Sequence, residues 1–68
     1  MFITLTSIFG EKEDRVLVNL ANITTISPYD HSRLKSSIYS SGNSFITVIE
    51  TIEEIGKKIE NTRLREGK

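Results

Sequence analysis

Apolar and hydroxyl-bearing residues alternate from Phe2 to Phe9, with Ile3 and Leu5 set against Thr4 and Thr6, and a period of two predicts a β-strand. Gly10 and the charged run Glu11–Asp14 read as a polar turn. Alternation resumes over Arg15–Leu20, where Val16 and Val18 share one face and Leu17 takes the other. Asn19, Ala21 and Asn22 interrupt it, asparagine being tolerant of turn conformations. The β-branched segment Ile23–Ser27 predicts a third strand. Pro28 lacks a backbone donor, so that strand should end there or run along an edge. Tyr29–Arg33 is expected as a loop. Leu34–Ser41 makes a fourth strand, with Leu34, Ser36 and Ile38 on one side and Lys35, Ser37 and Tyr39 on the other. Gly42 and Asn43 suit a tight hairpin turn, and Ser44–Glu50 is the fifth strand.

The period then changes. Thr51 is followed three residues later by Glu54, the spacing of a capping box at a helix start. Ile52, Ile55 and Ile59 fall at i, i+3 and i+7, one stripe of a helix expected over about 52–61. Glu53 with Lys57, and Glu54 with Lys58, are i, i+4 pairs in the favourable order. A stripe this short is not stable in water alone and must cover an apolar sheet face. The expected fold is α+β: one domain over residues 1–61, a small antiparallel five-stranded sheet or partly open barrel capped by one C-terminal helix. Residues 62–68 are expected to be a frayed polar tail.

Several of these pieces together resemble the FlbD-like (swarming-motility, SwrD-type) family of very small bacterial and phage proteins. The matching positions are Leu5-Thr6, Asn19 with Ile23, Gly42, and Val48, Glu50, Thr51 and Glu54 followed by Ile55. The similarity spans about Phe2 to Ile59, and the segments Glu11–Arg15 and Pro28–Arg33 depart from the family's shorter turns. The resemblance implies a non-enzymatic accessory protein, tied in some members to flagellar function, with no catalytic residues to carry over.

Composition narrows the function classes. The chain has 68 residues, no cysteine and a formal charge of +0 from nine basic and nine acidic side chains. Disulfides and thiolate metal sites are therefore excluded, and a reducing, cytoplasmic setting is expected. Met1–Phe9 lacks a basic start and is broken by hydroxyl residues, so neither an export signal nor a membrane insertion is expected.

His31, beside Asp30 and Ser32, reads as an exposed loop residue, because neighbours in a loop do not converge as a triad. Glu53 and Glu54 are accounted for by the helix start, and Glu11 and Glu13 by a charged turn. The isolated glycines form no phosphate loop. No nucleophile, base and orienting group come together, so no catalytic, cofactor or metal residues are assigned. Phe2, Phe9 and Phe45 are expected in the core, with Tyr29 and Tyr39 partly exposed. The function expected is a non-enzymatic accessory or interaction protein that binds another protein or itself. Apolar residues on both faces of several strands favour a homo-oligomer, most simply a dimer. The alternative is a small-barrel protein that binds single-stranded nucleic acid by stacking, although the cations it would need are few.

Overall fold

Side-chain alternation in β1 (Phe2–Phe9) turns Ile3, Leu5 and Ser7 inward, where all three are buried. The computed structural model describes residues 1–66. β2 (Lys12–Asn19) pairs antiparallel with β1 along its whole length, from Phe9↔Lys12 to Phe2↔Asn19. This places Val16 beside Leu5 and Val18 beside Ile3. The expected charged turn contracts to Gly10-Glu11, and Lys12, Glu13 and Asp14 join the strand. Gly10 stands first in that two-residue turn at φ +65°, a conformation open to glycine and strained for most other residues.

Leu20–Asn22 forms one turn of 3-10 helix, started by Asn19 Oδ1 accepting the Ala21 amide at 3.1 Å. β3 (Ile23–His31), β4 (Leu34–Ser40) and β5 (Ser44–Val48) follow as an antiparallel meander in the order β3-β4-β5. Ile26, Ile38 and Ile46 form one rung across its inner face. β3 does not stop at Pro28. It continues to His31 as an edge strand, irregular in register between Ile23 and Thr25 and between Pro28 and His31, so the missing proline donor interrupts nothing. The expected loop shrinks to the turn Ser32-Arg33. β5 ends at Val48, two residues short of the expected end, because Ile49 and Glu50 leave β4 to engage β1.

That departure joins the two sheets without closing a barrel. Ile49 N–H donates to Thr6 O at 2.9 Å, the Thr6 amide donates to Glu50 Oε1 at 2.9 Å, and Ser7 Oγ donates to Thr47 O at 2.7 Å. A carboxylate thus stands where another strand's carbonyl would have continued the ladder. Ser36 Oγ holds Glu50 from the other side by donating to its backbone oxygen at 2.7 Å. Both of these buried serines therefore have acceptors, as buried hydroxyls require.

Helix α1 (Ile52–Glu66) packs on β1 and β3. Thr51 and Glu54 exchange both bonds of the capping box: Thr51 N–H to Glu54 Oε1 at 3.0 Å, and Glu54 N–H to Thr51 Oγ1 at 3.2 Å. The helix runs past Asn61, where it was expected to end. No proline or glycine intervenes before Gly67, and the Thr62 hydroxyl donates to Lys58 O at 2.9 Å instead of interrupting the turn. Gly67 and Lys68, the end of the expected tail, lie outside the described residues.

The core consists of Ile3, Leu5, Ile38, Val48 and Ile55, with Val16, Val18, Ile26, Ile46 and Ile59 packed around it. Of the stripe isoleucines, Ile55 is buried, Ile59 half-buried and Ile52 exposed. The phenylalanines correct the sequence expectation. Phe2, Phe9 and Phe45 are 52%, 58% and 64% exposed, because alternation from the buried residues turns Phe2 and Phe45 outward and Phe9 abuts the turn. Aliphatic side chains, with the buried serines Ser7 and Ser36 beside them, fill the interior that the phenylalanines were expected to fill.

The cap has a testable weight. Thr51→Ala should lower the unfolding free energy by about 1 kcal/mol, read from urea denaturation. The hydrogen bond from the Thr51 amide, and after it the one with the Thr51 hydroxyl, lowers the Glu54 carboxyl from its ordinary 4.5. A lowered folded-state pKa contributes stability that is whole above the unfolded value and lost as pH falls through the folded one. Any stability advantage over Glu54→Gln should therefore hold from neutral pH to about 4.5 and shrink below it. A gap that widens in acid would contradict the assignment.

Candidate functional site

Charge is segregated along this molecule. No charged side chain occurs from Val16 to Tyr29 or from Ser36 to Ile49, two runs of fourteen residues. Hairpin geometry brings the middle of both runs to one end. Leu20 N–H donates to Met1 O at 3.0 Å, and Ser41 N–H donates to Asn22 O at 2.9 Å. The start of β1, the 3-10 turn and the β4–β5 hairpin are thereby tied together. At the opposite end the β1–β2 and β3–β4 hairpins are joined by Arg33 and Glu13, 2.6 Å apart. Lys35 approaches Asp30 at 3.7 Å, and the helix carries most of the remaining charge.

The uncharged end exposes apolar side chains. Leu17 is 69% exposed and Tyr39 39%, alongside Phe45 and Phe2. Tyr39 and Phe45 are cross-strand neighbours, their ring centroids 5.6 Å apart and their planes inclined by 40°. A pair of this kind rigidifies the hairpin and presents a firm apolar surface. The turn beyond it, Ser41-Gly42-Asn43, holds Gly42 at φ +89° and Asn43 at φ +65°. Rigid aromatics flanking small amide and hydroxyl residues are a composition suited to protein contact.

A hollow of about 390 Å³ separates the β2 edge at Leu17–Asn19 from the hairpin residues Ser40, Ser41 and Ser44, with Ile46 beside them. No charged residue lines it. A second hollow, of about 450 Å³, lies between Pro28–Asp30 and the helix start at Thr51–Glu53, and Ile52 opens onto it. There the capping box already occupies the helix terminus.

The residues marked in the sequence divide accordingly. Thr51, Glu54, Ile52, Ile55 and Ile59 belong to the helix and its contacts, while Gly42 and Asn43 lie in the turn of the uncharged end. His31 is exposed at the end of β3, its ring 6.3 Å from that of Tyr29. Among the described residues no three His, Asp or Glu side chains gather as metal ligands would. None of the described helices is long and apolar enough to cross a membrane. Tyr39 is partly exposed as expected, whereas sequence reasoning missed the exposure of Leu17 and of Phe45, and the charge-free runs are the signal that could have found them. No family model, no curated protein and no solved structure matches this chain.

Proposed function

We propose that this chain is a small non-enzymatic interaction protein that binds another protein, or a copy of itself, through its uncharged end. The observation that carries the reading is that Leu17 and the Tyr39–Phe45 pair stand exposed within the two charge-free runs whose middles the hairpins bring to one end. Covering apolar area contributes roughly 25 cal/mol per Å². Burying an unpaired charge works against association, and the charges here stand mainly at the other end and on the helix. The resemblance to the FlbD-like accessory proteins supports the same reading. The cysteine-free composition fits a cytoplasmic setting.

Photo-crosslinking inside cells tests it. A benzophenone amino acid at position 45 should give a discrete adduct, and the same group at position 53 should give none. Equal yields at the two positions would remove the uncharged end as the contact surface. Stacking of single-stranded nucleic acid is the second reading, favoured by the exposed Tyr39–Phe45 pair. Lys35, on the same side of β4 as Tyr39, is near Asp30, so little uncompensated cation stands beside the rings. A labelled oligonucleotide titrated at low salt should show no saturable binding.

A further inference from the structure

We infer that the occupant of the uncharged end is a second copy of this chain, joined through the free edge of β2 in an antiparallel pair about a two-fold axis, with Leu17 opposite its own counterpart. The inference rests on the interaction reading above and names its partner.

The edge is open at Leu17 for a geometric reason. In an antiparallel ladder, directly opposed residues exchange both backbone bonds or neither, in alternation. Thr6 sends its N–H and C=O to Glu50 and Ile49, away from β2, so Thr6↔Arg15 is a non-bonded pair. Thr4↔Leu17, two residues along, is another, and the Leu17 amide and carbonyl therefore point away from β1. No hydrogen bond among the described residues uses either group.

On β2 itself the Arg15 N–H also points outward but is taken by Asp14 Oδ1 at 2.8 Å, a bond that must open for the pairing to extend past Leu17 to Arg15 and Asn19. Other edges are blocked. β3 contains Pro28 and two register irregularities. β5 is engaged by β1. Leu17 is the point where an unpaired strand edge, an exposed apolar side chain and an uncharged hollow coincide.

Charge selects a copy of the same chain. In a two-fold contact each residue near the axis meets its own counterpart, so a patch centred on charge brings like charges together. Centring β2 on Asp14 or Arg15 would do so. Centring it on Leu17 sets leucine on leucine, Val16 on Val18 and Arg15 on Asn19, with no like-charge pair. A stable interface covers roughly 800 Å² per partner, about a sixth of the 5013 Å² accessible surface. The hairpin with Tyr39 and Phe45 lies across the hollow from Leu17 and extends the contact beyond the strands.

Sedimentation equilibrium with Leu17→Lys and Leu17→Glu tests this. The native chain should show twice its 7.7 kDa mass at high micromolar concentration. Each variant alone should associate at least tenfold more weakly, and their equimolar mixture should regain the doubled mass as a heterodimer. If a variant loses its fold by circular dichroism, the mixture still decides, through recovery or non-recovery of both structure and mass. A native chain that stays at its monomer mass, a variant that dimerises as the native chain does, or a mixture that recovers nothing overturns the inference. An adduct from position 45 to a different protein would then leave the interaction reading standing, whereas equal adducts from positions 45 and 53 would remove that reading as well.

Discussion

Ile55→Asp should leave the chain unfolded, with no cooperative transition and a far-ultraviolet circular dichroism spectrum of a disordered chain. Ile55 has no exposed surface and touches the core shared by both sheets and the helix. A carboxylate there loses the apolar contacts of the isoleucine and has no cation within the core to pair with. Substitutions that bury an unpaired charge cost more than about 4 kcal/mol. At roughly 0.05–0.15 kcal/mol per residue, 68 residues are stable by only about 3–10 kcal/mol. Ile55→Val removes one methylene and should cost about 0.5–1.5 kcal/mol, leaving a folded protein with a lower urea midpoint. A folded Ile55→Asp chain would mean that the helix does not cover the core.

Glu50→Ala should give the second largest loss, about 1–3 kcal/mol, because it strands the Thr6 amide at the junction between the sheets. The Glu50 side chain is half-buried, and the bond at 2.9 Å takes the place of a ladder bond. Glu50→Gln retains an oxygen that can accept from Thr6 and should lose less. Amide hydrogen exchange reads the cause directly. Thr6 should be protected in the native chain and in Glu50→Gln, and should exchange much faster in Glu50→Ala, while Leu5 and Val16 in the β1–β2 ladder change little. Slow exchange at Thr6 in Glu50→Ala would show that another acceptor serves it.

Glu50 also marks where local reading stopped. In sequence it reads as the last residue of the strand Ser44–Glu50. Nothing nearby in sequence indicates that the carboxylate reaches an amide forty-four positions away. The phenylalanines failed for a related reason. Apolar character alone assigned Phe2 and Phe45 to the core, yet Phe2 shares its face of β1 with Thr4 and Thr6, and β5 is largely apolar on both faces, where alternation alone does not say which one turns inward. The wide charged turn failed differently: strand pairing overrode the polarity of Lys12, Glu13 and Asp14, which lie on an exposed edge where charge is tolerated.

What the sequence determined by itself are the features whose physics is contained within a few residues. The capping box at Thr51 and Glu54 and the strand character of Phe2–Phe9 depend on bonds and alternation that the local chain supplies. The class of fold follows from five such short strands and one helix. The tertiary structure alone decided which faces turn inward, where the two sheets meet, and which edge remains open. Those outcomes depend on groups far apart in the chain: Glu50 with Thr6, Ser36 with Glu50, and Asn22 with Ser41. The candidate site stands between the two. Its charge-free runs are written in the sequence, but only the pairing of hairpins gathers them at one end, and only the ladder's alternation leaves Leu17 unpaired there.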